Sequence, residues 1–130
     1  MTDSPIIGIL TQPLSNGGRY DSFIEASHVK FLQGAGARVV KVDYKNSRTT
    51  MKNRLSHLDA IYIPGDSRSV LSSYQYRKAV GNILNWAYSV NTDQRDPRHF
   101  PVVAVSYGLG VVLQAVSKNT GVLSNIPATL

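Results

Sequence analysis

Four short apolar runs set the rhythm of the chain. Residues 5–10 (PIIGIL) are almost continuously apolar, the pattern of a strand buried on both faces of a parallel sheet. Residues 38–42 (RVVKV), 59–63 (DAIYI) and 102–105 (VVAV) repeat the signal. After the first run, residues 11–20 read as a loop marked by Pro13 and Asn16-Gly17-Gly18. Ile24, His28, Phe31, Leu32 and Ala35 then recur at helical spacing, with Asp21 or Ser22 placed to cap that helix and Gly34 and Gly36 to end it. Residues 48–57 suit a short polar helix, and Pro64-Gly65-Asp66 breaks the third strand at its carboxyl end. Tyr76, Val80, Ile83, Leu84, Ala87 and Val90 make one face of a long helix, with Arg77, Lys78 and Asn85 on the other. Residues 91–99 form a polar loop, and residues 118–130 begin a new segment with a turn at Asn119-Thr120-Gly121. Strands alternating with helices predict a doubly wound α/β sandwich around a mainly parallel sheet, with right-handed crossovers.

The chemistry concentrates on residues 100–113 (FPVVAVSYGLGVVL), where a β-branched run stops at Ser106-Tyr107-Gly108 and a second apolar run follows without turn residues. That is a strand turning sharply into a helix. Open α/β sheets place chemistry outside the carboxyl ends of their strands, so Ser106 is the candidate nucleophile position. The nucleophile-elbow pattern G-x-S-x-G is met only in part, because alanine stands at the first glycine.

Composition narrows the picture. At 130 residues the chain is one domain, and 42% hydrophobic with 17% charged residues describes a globular protein. No apolar run reaches the ~18 residues of a membrane span, and the first ten residues lack the basic start and apolar core of a signal peptide. The absence of cysteine removes disulfides, thiolate metal sites and a thiol nucleophile. The net charge of +6 tilts partner choice toward anions.

Taken together, PIIGIL, FIEASHVKFLQGAGARVV from Phe23, DAIYIPG from Asp59 and FPVVAVSYGLG from Phe100 resemble the N-terminal half of the γ-glutamyl hydrolase family, within the class I glutamine-amidotransferase-like superfamily. The match runs in order from about Ser4 to about Ala115. The resemblance implies a flavodoxin-like three-layer α/β sandwich, truncated relative to the family domain. In active relatives it implies thiol-dependent removal of γ-linked glutamates from folylpolyglutamates. The family's nucleophilic cysteine falls at Ser106, and its Pro-Gly-Gly turn, part of the oxyanion hole, falls at Pro64-Gly65-Asp66. Gly65, Asp66 and Tyr107 thus occupy oxyanion-hole positions. The catalytic histidine belongs to the family's C-terminal half, which this sequence lacks.

Each departure carries a chemical cost. A serine hydroxyl needs a base to become a nucleophile, and an aspartate at an oxyanion site opposes the charge that the site exists to stabilise. Of the three histidines, His28 reads as a satisfied core or helix-packing residue, while His57 and His99 fall at amino ends of strands, the wrong edge for Ser106. Gly108-Leu109-Gly110 lacks the third glycine of a dinucleotide fingerprint, and Asp93, Asp96 and His99 read as a solvated loop. No cofactor and no metal are expected. Arg38, Lys41, Lys45, Arg48, Lys52 and Arg54 face a single acid, Asp43, within residues 38–54. They are a candidate contact for RNA or an acidic protein, where Tyr44 alone offers a stacking surface.

The expectation is a catalytically inactive γ-glutamyl hydrolase-like domain acting as a structural or binding subunit. The alternatives are a hydrolase active only with a complementing chain and a small-molecule binder that keeps the pocket. The uncharged strand at residues 102–105 is expected to sit at a sheet edge covered by a protein partner or a second copy.

Overall fold

The structure is a computed structural model, and it describes residues 4–13, 22–66, 68–93, 95 and 99–117. Strand β1 (Ile6–Leu10) is followed by a two-residue strand β2 (Gln12–Pro13), which pairs antiparallel with β3 (Ser22–Phe23). Helix α1 (Ala26–Gly34) leads to β4 (Arg38–Val42), and α2 (Arg48–Leu55) to β5 (Ala60–Ile63). A 3₁₀ turn (Arg68–Ser72) precedes the long α3 (Tyr74–Thr92), and β6 (Val102–Ala104) runs into α4 (Tyr107–Ser117).

Strands β1, β4, β5 and β6 form one parallel sheet in the order β4-β1-β5-β6. The chain moves outward from β1 to β4, then returns past β1 to β5 and on to β6. With right-handed crossovers, that reversal puts α1 on one face and α2, α3 and α4 on the other. The result is a flavodoxin-like sandwich whose topological switch point lies between β1 and β5.

Side chains alternate across the sheet as a period of two requires. Leu10, Val42, Ile61 and Ile63 face the three-helix side, where Met51 and Leu55 of α2, Tyr76, Val80 and Ile83 of α3 and Val111 of α4 close a continuous buried core. Ile9 and Tyr62 face α1, where the buried cluster is completed by Leu32. Helices α2 and α3 start where serine can cap them: Ser47 Oγ accepts the Thr50 N–H and Ser73 Oγ the Tyr76 N–H.

Four expectations change. The segment after β1 is not simply a loop, because Gln12–Pro13 recruits Ser22–Phe23 into a strand pair. That pairing takes Ser22 away from capping, so α1 starts at Ala26 behind Glu25, without a side-chain cap; Asp21 lies outside the described residues. Phe31, assigned to the inward stripe, is 68% exposed, since α1 buries Leu32 instead. Asn91 and Thr92 extend α3 rather than opening the loop after it. The expected turn at residues 119–121 and the segment that contains it lie outside the described residues.

Candidate functional site at the carboxyl edge of the sheet

The polypeptide leaves β5 through Pro64, Gly65 and Asp66, and four other elements hold this turn. From α3, the Tyr76 hydroxyl donates to the Pro64 carbonyl. From α4, the Tyr107 N–H donates to the Gly65 carbonyl at 3.2 Å. From β2, just past the end of β1, Gln12 makes two bonds to Asp66: its Oε1 accepts the Asp66 N–H at 2.8 Å, and its Nε2 donates to Oδ2 at 2.6 Å. From α1, His28 Nε2 lies 2.8 Å from Asp66 Oδ1 and 3.1 Å from Oδ2.

A carboxylate has no proton to give, so Nε2–H of His28 is the donor in that contact. In the neutral ring Nδ1 is then an acceptor, and the Tyr62 hydroxyl donates to it at 2.9 Å. The chain Tyr62–His28–Asp66–Gln12 therefore runs across the switch point with each donor matched to an acceptor. Burial, and secondarily the Asp66 charge, raises the Tyr62 phenol above its ordinary pKa. Tyr62 is thus a hydroxyl donor rather than a phenolate. Tyr76 is raised further, by burial first and Asp66 second.

Ser106 stands where the sequence places it, at the turn from β6 into α4. Its φ of 53° is the one positive value outside glycine among the described residues. The turn is tight because α4 starts against the β5 turn: a Cβ on Gly65 would lie 2.0 Å from the Gly108 nitrogen, and one on Gly108 would lie 2.3 Å from the Ile63 carbonyl oxygen. Only glycine at both positions permits that approach. Gly108 therefore serves backbone packing in a strand-to-helix turn.

Sheet order decides which way the turn faces. β1 and β6 lie on opposite sides of β5, so the Asp66 N–H, directed to Gln12, points toward β1, whereas Ser106 stands on β6. Of the other histidines, His57 is exposed before β5, its Nδ1 2.8 Å from the Asn53 carbonyl, and His99 is exposed before β6. Both are at amino ends, as their sequence positions imply. His28 is a satisfied, mostly buried histidine: both its ring nitrogens have polar partners and its side chain keeps 15% exposure. The sequence reading missed Gln12, Tyr62 and Tyr76. The available signal for Gln12 was a polar pair, Thr11-Gln12, directly after a buried strand.

The six cations of residues 38–54 are all exposed, on edge strand β4, the turn after it and α2. Tyr44 does not offer a stacking surface: it is 5% exposed and packs against Tyr76 in the core, and Lys45 Nζ lies over its ring, 5.9 Å from the centroid. A groove of about 930 Å³ opens at the other end of β6, lined by Tyr74, Arg77, Leu84, Tyr88, Phe100 and Val116. It is at the amino end of that strand, opposite to Ser106. No helix among the described residues is long and apolar enough to cross a membrane.

Comparison with known proteins gives a consistent answer. A gamma-glutamyl hydrolase of Glycine max is 35% identical over 97% of this chain, covering 38% of its own length. That of Homo sapiens is 41% identical over 80% of this chain and covers 32% of its own length. Gamma-glutamyl hydrolase B of Dictyostelium discoideum is 29% identical over 98% of this chain. This chain is a γ-glutamyl hydrolase-like domain. It spans about a third of the length of the curated γ-glutamyl hydrolases it matches. No protein-family model matches it.

Proposed function

We propose that this γ-glutamyl hydrolase-like domain is catalytically inactive and serves as a structural or binding subunit of a larger assembly. The observation that carries the reading is the state of the two backbone donors at the oxyanion-hole positions. The Asp66 N–H donates to Gln12 and the Tyr107 N–H to the Gly65 carbonyl, so neither is aimed at an oxygen developing charge beside Ser106. Oxyanion stabilisation depends on donors already directed at that point, and its loss costs orders of magnitude in rate. The hydroxyl of Ser106 needs a base, and both ring nitrogens of His28 are committed to Tyr62 and Asp66.

The test is hydrolysis of a γ-glutamyl peptide. No turnover is expected from the chain, and none from Ser106→Cys, since a restored thiol still meets misdirected donors and, among the described residues, no uncommitted histidine on its edge of the sheet. Turnover abolished by Ser106→Ala but kept by a distant surface change would overturn the reading.

The binding role rests on β6. Among the described residues it is the last strand of the parallel sheet, carries no charge, and leaves Val103 46% exposed. Apolar edge strands are templates for association, so a protein partner or second copy is proposed to cover it. Sedimentation at low micromolar concentration checks this, and a stable monomer with no tendency to associate would sink it. The six exposed cations on the opposite edge suit RNA phosphates or an acidic protein, and binding there should weaken steeply with salt.

A further inference from the structure

We propose that Gln12, His28 and Asp66 form a clamp that locks the Pro64-Gly65-Asp66 turn with its N–H toward β1, and that His28 is the positioning residue that keeps the clamp shut. This deepens the reading of an inactive site and rests on it only for the meaning of the turn.

Asp66 puts a carboxylate at an oxyanion-hole position. A carboxylate beside a site meant for developing negative charge is unfavourable unless something holds it elsewhere. Here three contacts do so: Gln12 Nε2 at 2.6 Å to Oδ2, and His28 Nε2 at 2.8 and 3.1 Å to Oδ1 and Oδ2. Gln12 is fully buried, so its carboxamide needs both of the bonds it makes to Asp66. The two halves of the Gln12 carboxamide therefore tie the side chain of Asp66 to the direction of its own N–H: while the carboxylate stays on Gln12 Nε2, the N–H stays on Gln12 Oε1. His28 fixes the carboxylate from the far side. Its ring is in turn oriented by Tyr62, whose hydroxyl donates to Nδ1 and whose ring lies 5.3 Å away, centroid to centroid. Without the imidazole, the carboxylate, already 30% exposed, is free to turn to water and leave Gln12 Nε2 without its acceptor.

The clamp joins segments distant in sequence: Gln12 and Asp66 are 54 residues apart, and His28 and Asp66 are 38 apart. It bridges β2, α1 and the turn after β5 at the switch point, where a ligand-binding crevice opens in folds of this type.

Amide hydrogen exchange on the full chain tests the clamp, with the Ile61 amide, bonded to the Pro101 carbonyl inside the sheet, as internal control. In His28→Ala the residue 66 amide should exchange about ten- to a hundredfold faster while Ile61 is unchanged, the range expected for losing one charge-assisted hydrogen bond. His28→Gln, which supplies an amide donor at similar reach, should restore most of the protection. Unchanged exchange at residue 66 in His28→Ala, or failure of His28→Gln to restore it with Ile61 still protected, would overturn the proposal. Should His28→Ala not fold, the ring nitrogens of the unaltered protein decide. Nitrogen-15 spectra should show a proton held on Nε2, and a bare Nε2 or an averaging ring would refute the clamp. Hydrolysis by the unaltered chain would sink the inactive reading and leave these spectra as they are. Loss of the clamp signature would leave that reading resting on Ser106.

Discussion

Ile61 and Tyr62 are neighbours on one strand and belong to different proteins in all but sequence. Ile61 points into the three-helix side, where α2, α3 and α4 close an apolar core and nothing polar is required. Tyr62 points toward α1, a single nine-residue helix, where the buried cluster is small and the phenol ends in a hydrogen-bonded chain. A face that several helices cover gains its stability from apolar area, while a face covered by one helix leaves room for polar side chains to decide geometry. The lesson is a division of labour: one side of the sheet holds the fold and the other carries the site.

Truncation on each side should expose that division. Ile61→Ala removes a fully buried side chain from a closed core and should cost about 2–5 kcal/mol of unfolding free energy. Tyr62→Phe keeps the ring and deletes only the bond to His28, so it should cost about 1 kcal/mol. Urea unfolding with unchanged m-values checks both. Equal losses would mean that the α1 side bears as much of the fold as the other and would dissolve the contrast.

Much of the first side is legible in the sequence. VVKV, AIYI and VVA are β-branched runs, and Tyr76, Val80, Ile83 and Ala87 keep a helical period, so local pattern alone assigns their structure. The second side is less so. A histidine at position 28 gives the same apolar-stripe signal whether it packs or pairs, and what decides is an aspartate 38 residues later. Gln12 likewise gains its role only from the sheet order, which puts β1 beside β5. Tyr44 shows the opposite failure: in a run of cations it reads as exposed, and tertiary packing on Tyr76 buries it.

Tyr76 links the two sides, rising from the core to hold the Pro64 carbonyl. Tyr76→Phe leaves that carbonyl without its partner and should cost about 1–3 kcal/mol. It should also change the alkaline limb of stability. Burial raises the phenols of Tyr44, Tyr62 and Tyr76 in the folded state, while in the unfolded chain they ionise near the ordinary value of about 10. Below that pH neither state loses the protons and the folded protein has its full stability. Above it the unfolded chain releases protons that the folded one retains, so stability falls as pH rises from about 10 toward the raised folded values. Tyr76→Phe removes one of these groups, and the fall between pH 10 and 11 should become shallower. An unchanged slope would mean that Tyr76 ionises as easily in the folded protein as in the unfolded one.

The smallest effects are expected at Ser106, which sits between the two sides and is exposed. Its backbone carries the helix start through its carbonyl, which accepts the Leu109 N–H at 3.1 Å, and the preceding Val105 carbonyl accepts the Gly108 N–H at 2.9 Å. Neither bond involves the hydroxyl. Ser106→Ala should therefore shift stability by no more than about 1 kcal/mol. The φ of 53° gives the position its own signature. A side chain there pays a left-handed penalty of about 1–2 kcal/mol that glycine avoids, set against the roughly 0.4–1 kcal/mol by which glycine favours the unfolded chain. Ser106→Gly should accordingly be neutral or stabilising by up to about 1 kcal/mol, and Ser106→Val, with two branches at Cβ, should be destabilising. A large loss in Ser106→Ala would reveal a hydroxyl network at the end of β6. It would move Ser106 from the backbone scaffold into the polar machinery on the α1 side.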